Sequence, residues 1–366
     1  RRPYVNQAEI LGKMNFLGMR HTLLFGYDFR DFSTRTDVTS GGGFYEFTPM
    51  SLVNYIETNP PITNFPIVRQ TYQFNRTHAG FWQDQIDVTK KVKITVGGRF
   101  DDFRRNRYRI FTAAPNTQIP IEARNHQAYT YRAGLVFAPV GNHQLYFSSS
   151  SSFTPVIGEP LSVNQDSLKP ERGLNYEAGY RWQAWNDRVR ANLAFYYTDF
   201  ENLTFTQNLL SVVQAGKVIS KGIDLDLNAD LGHRIRMLVN YGYTVPQFRE
   251  FIDPDSGDDF AGHLPRFAQK QALNIWLNKS WMSGVNVSLG TRYVGPMFTD
   301  DANSVLLGGW STFSGAVGYR RDSWEWNLNV ENLFNRSRYF TPSDYTNQVY
   351  PGAPINVSAT VRYHFR

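Results

Sequence analysis

The chain has 366 residues, of which 41% are hydrophobic, 15% aromatic and 19% charged, with no cysteine and a formal net charge of +6. This charge-poor, aromatic-rich composition excludes a disordered chain. Apolar runs fall short of the ~18 residues that a spanning helix needs, which excludes an α-helical membrane protein, and the lack of cysteine excludes disulfide scaffolds, thiolate zinc sites and cysteine nucleophiles.

Apolar and polar residues alternate along many segments, and a period of two is the primary sign of β-strands with one apolar face. Four of the clearest segments are 189–197, 223–231, 324–331 and 355–365. In the last of them every odd position is apolar and every even position is polar. The pattern predicts an all-β fold.

Fifteen strands are predicted, and their number bears on the architecture. In chain order they are 4–17, 20–34, 68–88, 91–106, 122–138, 143–153, 173–186, 188–201, 216–231, 233–246, 266–281, 283–296, 310–321, 323–333 and 354–365. Single-chain bacterial barrels have an even number of strands. We therefore expect at least one strand before Arg1, where the sequence starts with neither Met nor a signal segment.

The connections between these strands are short and long in turn. The long ones are 35–68, 105–122, 153–172, 201–216, 247–265, 297–309 and 334–353. Outer-membrane barrels sort their connections in this way, with short turns in the periplasm and long loops outside, whereas a soluble sandwich has no reason to do so. The sequence therefore predicts a transmembrane antiparallel β-barrel.

Tryptophans support the membrane assignment because five of them lie within a few residues of a short turn. They are Trp182, Trp185, Trp281, Trp324 and Trp326. Aromatic rings gather at the two interfaces of a membrane, so these side chains are interpreted as a periplasmic girdle. The alternative is that tryptophan is simply a good strand former.

Five short motifs, in order along residues 150–366, resemble TonB-dependent outer-membrane receptors of the ferric-siderophore branch. They are Ser152-Phe153-Thr154-Pro155; Leu168-Lys169-Pro170-Glu171 with the strand Tyr176-Glu177-Ala178-Gly179-Tyr180; Lys221-Gly222-Ile223-Asp224; Asn332-Leu333-Phe334-Asn335 with Tyr339; and Gly352-Ala353-Pro354 with a closing strand that ends at Phe365. Three positions depart from the family pattern, namely Ile355, Asn335 and Arg366.

The resemblance implies a 22-stranded barrel filled by an N-terminal plug that contacts TonB. Residues 1–366 would then be the C-terminal part of the barrel, about fifteen strands, without the plug and the first strands. Such receptors bind a ferric siderophore and import it across the outer membrane of Gram-negative bacteria with TonB-supplied energy. The implied partners are the siderophore, the TonB complex through the missing N-terminal region, lipopolysaccharide and outer-membrane lipid, and the barrel-assembly machinery.

Other functions stay open. A passive, porin-like channel would share the barrel, and related receptors import haem, cobalamin, nickel chelates or oligosaccharides. An outer-membrane adhesin or enzyme is disfavoured because no catalytic constellation is found, so the chain is predicted to be a transporter with no catalytic residue. We expect no resident cofactor, no metal ligands among the seven scattered histidines and no nucleic-acid binding; the ferric chelate is cargo.

The densest basic cluster of the sequence is Arg104, Arg105, Arg107 and Arg109 with Tyr108. Guanidinium groups bind anionic ferric chelates, so these residues are candidate ligand contacts. Lipopolysaccharide phosphates or a merely solvated loop explain the same residues.

The family motifs are expected to be structural. The segment Leu168 to Glu171 would organise the start of a strand, and Glu177, Gly222, Asn332, Leu333, Phe334, Tyr339 and Phe365 would serve the barrel. Asp224, Asp226 and Asp230 are expected to form a polar lumen wall, because alternate strand residues stand ~6.6 Å apart, too far to share one small ion easily.

Overall fold

A computed structural model of the chain describes residues 2–39, 67–111, 114–155, 169–208, 211–214, 216–253, 256–337, 340–342 and 349–365. The strands in these ranges, in chain order, are β1 (Arg2–Phe16), β2 (Met19–Thr39), β3 (Ile67–Asp87), β4 (Val92–Phe111), β5 (Ala114–Val140), β6 (His143–Thr154), β7 (Glu171–Ala184), β8 (Val189–Glu201), β9 (Thr204–Asn208), β10 (Ser211–Gln214), β11 (Lys217–Gly232), β12 (Ile235–Glu250), β13 (Gln271–Ser280), β14 (Val285–Val294), β15 (Met297–Phe298), β16 (Leu306–Leu307), β17 (Trp310–Arg321), β18 (Trp324–Glu331), β19 (Phe340–Pro342), β20 (Val349–Pro351) and β21 (Asn356–Tyr363).

Fifteen of the described strands form one large sheet with the order β1-β2-β3-β4-β5-β6-β7-β8-β11-β12-β13-β14-β17-β18-β21. Each of them overlaps one of the fifteen predicted strands, so the all-β antiparallel fold class is confirmed. Within the described ranges, no helix has the length and apolar character needed to cross a membrane.

The alternation in sequence becomes two chemically different faces of the sheet. In β11, Leu225 lies opposite Leu193 of β8 and Tyr241 of β12, so apolar side chains form a row across three strands. The next residue, Asp226, lies opposite Asn240, whose amide donates to the Asp226 carboxylate at 2.6 Å. We call these surfaces the apolar face and the polar face.

Short turns join the strands at one end, and three of them need a glycine. Gly18, Gly232 and Gly284 have φ of 74°, 82° and 89°, a left-handed conformation that glycine adopts at little cost. At Gly284 a Cβ would overlap the carbonyl oxygen of Arg320. Glycine is therefore required in the tight turn between β13 and β14.

One predicted long loop is largely strand. The range 105–122 belongs mostly to β4, which continues to Phe111, and to β5, which begins at Ala114. Tyr108 stacks on Tyr72 with ring centroids 5.1 Å apart and on Phe74 at 5.9 Å. These contacts hold β4 against β3 beyond the point where arginines interrupt the hydropathy pattern, which is why the loop prediction was wrong.

Three of the long connections contain small strand pairs that the sequence pattern does not predict. Strands β9 and β10 pair within 201–216, β15 and β16 within 297–309, and β19 and β20 within 334–353. These strands have two to five residues each, too few to show a period.

The chain divides into two compact units. Unit 1 comprises Arg1–Gly12, Leu23–Gln83 and Gly98–Tyr129; unit 2 comprises Lys13–Thr22, Asp84–Gly97 and Thr130–Arg366. Unit 2 contains two small apolar clusters at the long-connection end of its strands. They are Val218, Phe248 and Phe251, packed by Phe200, Leu203 and Phe260, and Val294, Met297 and Trp310, packed by Phe267 and Leu307.

Candidate functional site

The polar face of β2 to β5 in unit 1 is rich in arginine. Contacts across the strands show that these side chains share one face: Arg105 donates to Gln73 at 2.9 Å, and Phe103 stacks on His126 at 6.4 Å. Strand alternation places the remaining arginines beside them. We call this surface the arginine face; its arginines are Arg30, Arg69, Arg99, Arg105, Arg107, Arg109 and Arg124.

Arg105 and Arg107 are almost completely buried, with 1% and 2% of their surface exposed. Burial of a guanidinium group is costly unless it is hydrogen-bonded, and the bond from Arg105 to Gln73 supplies part of that compensation. Arg30 differs, because 59% of its side chain is exposed.

Two aspartates on the arginine face are held by one arginine. Arg99 donates to Asp28 at 2.8 Å and to Asp101 at 3.0 Å, and its guanidinium lies 5.7 Å from the centre of the Phe81 ring. Asp28 is also 3.7 Å from Arg30. Both carboxylates are therefore already paired with arginine side chains.

Strand alternation divides the basic cluster found in the sequence. Arg105, Arg107 and Arg109 lie on the arginine face, whereas Arg104 and Tyr108 lie on the opposite face. There Arg104 pairs with Asp102 at 2.9 Å, and Tyr108 joins the aromatic stack with Tyr72 and Phe74. Sequence reasoning missed Arg30, Arg69, Arg99 and Arg124, which come to this face from other positions and strands; strand alternation was the signal that could have found them.

The Leu168-to-Glu171 motif connects the start of β7 to the β9–β10 pair. Gln214 accepts a bond from the Lys169 amide at 3.1 Å and donates to the Lys169 carbonyl at 2.7 Å. Asn202 donates to the Pro170 carbonyl at 3.1 Å, and the Glu171 carboxylate accepts the Thr204 amide at 2.8 Å. Leu168 lies outside the described residues.

Two motif positions organise the polar face of unit 2. The hydroxyl of Tyr146 donates to Glu177 at 2.8 Å, and Arg181 lies over the Tyr146 ring at 4.5 Å. At Gly222 a Cβ would overlap the ring of Tyr196 and the carbonyl oxygen of Tyr243. Gly222 is therefore a site of close approach between neighbouring strands.

Asn332 closes the turn after β18. It is 5% exposed; its amide donates to the carbonyls of Arg336 and Ala353 at 3.0 and 2.9 Å, and its side-chain oxygen accepts the Arg336 amide at 2.9 Å. Leu333 donates through its backbone to Phe313. The other aromatic motif residues are not buried: Phe334 is exposed and contacts the ring of Phe313, and Phe365 is exposed and contacts the ring of Tyr363. Tyr339 lies outside the described residues.

A cavity of about 800 Å³ lies on the polar face of unit 2, next to the Asn332 turn. Trp276 lies flat over Gly290, where a Cβ would meet the indole, and is 40% exposed. Arg292 lies over the ring of Trp310 at 5.6 Å. The cavity thus combines an open indole with hydrogen-bonding groups.

Two long connections of unit 2 are joined by hydrogen bonds. Asn303 accepts the Leu264 amide at 2.9 Å and donates to its carbonyl at 2.8 Å. Asp301 accepts the Arg266 amide at 2.8 Å. Burial raises the pKa of the Asp301 carboxyl, while the Arg266 amide and guanidinium oppose that rise.

Asp300 accepts three hydrogen bonds within its own connection, from the Ser304 amide and hydroxyl and from the Val305 amide.

Among the described residues, no group of three or more His, Cys, Asp or Glu side chains is arranged to hold a metal ion. Asp224, Asp226 and Asp230 follow the strand alternation of β11. Asp226 accepts the Asn240 amide at 2.6 Å, and Asp230 accepts the Gly232 backbone amide at 2.9 Å.

Comparison with known proteins gives one family and a consistent set of relatives. The family model described as TonB dependent receptor-like, beta-barrel matches residues 2–333. The ferrioxamine receptor of Yersinia enterocolitica is 26% identical over 379 residues, covering 98% of this chain and 50% of that protein. The ferrichrome outer membrane transporter/phage receptor of Escherichia coli K12 is 25% identical over 368 residues, covering 94% and 46%.

Solved structures show the same fold. The ferric-catecholate import receptor Fiu of Escherichia coli, in its closed form, superposes with a TM-score of 0.77 at 18% identity, covering 99% of this chain and 54% of that chain. The siderophore receptor PiuA of Acinetobacter baumannii gives 0.75 at 19% identity, with 99% and 56% covered. The chain thus spans about half the length of the relatives it matches.

Proposed function

The chain belongs to the TonB-dependent receptor-like β-barrel family. We propose that it forms part of the β-barrel of an outer-membrane receptor, which binds a ferric siderophore and imports it with energy delivered through TonB. The names of its relatives, a ferrioxamine receptor and a ferrichrome transporter, support the class of cargo. In this proposal residues 1–366 are the C-terminal part of the barrel.

The arginine face is the observation that carries the proposal. Seven arginines lie on one polar surface, and four of them, Arg99, Arg105, Arg107 and Arg109, come from β4. The guanidinium group is a planar fork of donors that matches oxyanions. A surface of this kind suits capture of an oxygen-donor iron chelate. Arg104 and Tyr108 are left out of the proposed site because they lie on the opposite face.

The two faces of the sheet suit a membrane barrel. The apolar positions of β8 from Val189 to Tyr197 cover about 26 Å along the strand at the usual rise, which is roughly 20 Å of height at a tilt of about 40° and falls within the ~25 Å apolar band of such barrels. On the polar face of unit 2, Asn192, Asp226, Asn240, Asn274 and Arg292 are in register across five strands. This row would give a hydrated chelate a polar wall.

The cargo, the partners and the membrane position in this proposal are those expected of the family. The ferric chelate is cargo and not a resident cofactor, the chain is not an enzyme, and the partners are the TonB complex, lipopolysaccharide and the barrel-assembly machinery. The tryptophans beside the short turns, among them Trp324 and Trp326 with centroids 6.0 Å apart, would lie at the periplasmic interface.

Uptake in iron-starved cells tests the proposal. The full-length gene would be expressed in a Gram-negative host that lacks its own siderophore receptors, with and without TonB, and accumulation of radiolabelled ferric chelates would be measured. We expect uptake that requires both the gene and TonB. Uptake independent of TonB would instead indicate a passive channel, and no uptake of any ferric chelate would refute the assignment.

A further inference from the structure

The cavity beside the Asn332 turn contains a flat aromatic surface. A Cβ at Gly290 would lie 2.6 to 2.7 Å from three ring atoms of Trp276, namely Cδ2, Cε2 and Cε3. These atoms surround the centre of the indole, so the ring lies flat on the glycine. Trp276 is nevertheless 40% exposed and lines the cavity of about 800 Å³. One face of the indole therefore covers the sheet, and the other face is open to the cavity.

The open face distinguishes Trp276 from other aromatic residues that cover a glycine on the polar face of unit 2. Tyr196 covers Gly222 and Tyr146 covers Gly179, and both tyrosines are half-buried. An aromatic ring that covers a glycine of the next strand stabilises a sheet, which explains all three rings. It does not explain why Trp276 alone of the three is exposed beside a large cavity.

The lining of the cavity is polar and keeps free hydrogen-bonding groups. Amide and hydroxyl side chains both donate and accept hydrogen bonds. Within the part of the chain that the structure describes, four such side chains of the lining make no hydrogen bond to another side chain or to the backbone. They are Asn274, Ser314, Asn329 and Ser358.

The charges of the described lining balance. Its two charged side chains are Arg292 and Glu331. The Arg292 guanidinium lies 5.6 Å from the centre of the Trp310 ring, so it packs against an aromatic side chain of the wall. With one positive and one negative group, the cavity gives an anionic ligand no net attraction, and its chemistry suits a neutral polar ligand.

The free polar groups extend away from the indole across several strands. Gly290, beneath the indole, lies opposite Ser314 of β17, so the Ser314 hydroxyl lies beside the aromatic surface. Asn329 of β18 lies opposite Ser358 of β21. From β13, which carries Trp276, to β21 there are four strand spacings of ~4.8 Å, or ~19 Å. This distance exceeds the size of one sugar-sized ring, so the site suits an elongated ligand.

We propose that this cavity binds a neutral oligosaccharide, with one sugar ring stacked on the open face of Trp276 and the following rings hydrogen-bonded to Ser314, Asn329 and Ser358. A glucose-type ring has a flat C–H face that packs on an aromatic surface, and hydroxyls at its edge that donate and accept hydrogen bonds. A volume of about 800 Å³ lies within the ~300–1,000 Å³ of small-ligand sites. The site lies within unit 2 and is a binding activity beyond the proposed function.

Two neutral glucose trimers with different linkages, cellotriose and maltotriose, test the proposal. The full-length receptor would be titrated with each of them by calorimetry in a detergent without a sugar headgroup. We expect binding of at least one trimer, with a Kd that added salt leaves unchanged, because neither the ligand nor the cavity has a net charge. This measurement uses the unaltered protein, so it does not depend on how any variant folds.

Variants of the aromatic surface locate the binding. Trp276→Leu keeps an apolar cover over Gly290 but removes the flat ring, and should raise the Kd roughly tenfold. Trp276→Tyr keeps an aromatic ring and should stay within about threefold of the unaltered receptor. Tyr196→Leu is the matched control, since it removes a ring that covers Gly222 and does not line the cavity; it should leave the Kd unchanged.

A hydroxyl variant keeps the test decisive if Trp276→Leu does not fold, as judged by heat-modifiable mobility on gels. Ser314→Ala leaves the indole and Gly290 in place and removes one hydroxyl beside them. The loss of one hydrogen bond should raise the Kd roughly three- to tenfold. An unchanged Kd in both Ser314→Ala and Trp276→Leu would place the sugar elsewhere and overturn the proposal.

The other outcomes are equally clear. No binding of either trimer to the unaltered receptor would overturn the proposal, as would a Kd that rises with salt, which would indicate charged contacts. Equal losses in Tyr196→Leu and Trp276→Leu would assign the effect to the sheet and overturn the role of the open indole. None of these results bears on TonB-dependent uptake of a ferric chelate, so the receptor assignment would stand or fall separately.

Discussion

Replacing Asp300 with alanine should loosen one long connection of unit 2 without unfolding the sheet. The Asp300 side chain is 5% exposed and accepts the Ser304 amide, the Ser304 hydroxyl and the Val305 amide at 2.8 to 2.9 Å. At about 1 kcal/mol or more for each bond to a charged acceptor, their loss costs about 3 kcal/mol.

A free-energy change of about 3 kcal/mol raises the local opening constant of the segment by roughly 100-fold. Native-state hydrogen exchange of the full-length receptor in detergent would measure it at the amides of Ser304 and Val305. Asp322→Asn is the control, since Asp322 is 82% exposed in a short turn, its contact with Arg321 is 3.9 Å long, and asparagine tolerates its φ of 54°. Unchanged exchange at Ser304 and Val305 in Asp300→Ala would refute the reasoning.

Three other predictions concern the motif residues and the joined connections. Gly222→Ala should cost about 1–3 kcal/mol by overpacking and lower the folded yield seen as heat-modifiable mobility on gels, whereas Gly80→Ala, with open space around it, should not; equal yields would contradict the close approach. Asn332→Ala should lower the thermal midpoint of the receptor by removing three bonds from a buried turn, and an unchanged midpoint would show that the turn holds without it. Because the folded pKa of Asp301 is raised, its ionisation opposes folding, so the protection of the joined connections, after correction for the intrinsic pH dependence of amide exchange, should increase as pH falls from neutral towards that raised pKa. Asp301→Asn should abolish this increase in corrected protection, and its persistence would assign it to another group.

The strand layout was predictable because the sheet repeats one simple rule over long segments. From Ile355 to Phe365 or from Ile223 to Leu231, the period of two survives every local irregularity, so strand existence and order could be read directly. The ends of strands were less predictable. Just beyond Phe103 both faces of β4 are polar, since Arg104 and Asn106 alternate with Arg105 and Arg107. Hydropathy therefore no longer distinguishes the faces, even though Tyr72 and Tyr108 keep the strands paired.

The candidate site was only partly predictable for a related reason. Arg105, Arg107 and Arg109 are visible as a cluster in the sequence, but Arg69 and Arg124 join them only through pairing between strands. Conversely, Arg104 and Tyr108 are neighbours in sequence and are separated by the sheet. Residues that are clustered in the sequence of a strand are divided between the two faces of the sheet, and the pairing register determines which residues of the neighbouring strands lie beside them.

The joined connections of unit 2 also determine how this surface can be recognised. Leu264 and Arg266 meet Asp301 and Asn303 across more than thirty intervening residues, so the shared surface exists only in the folded protein. A short peptide copied from either connection lacks half of it. An antibody that recognises this surface therefore recognises a discontinuous epitope, and immunisation with linear peptides from 256–270 or 295–309 would select binders for a shape that the intact receptor does not present.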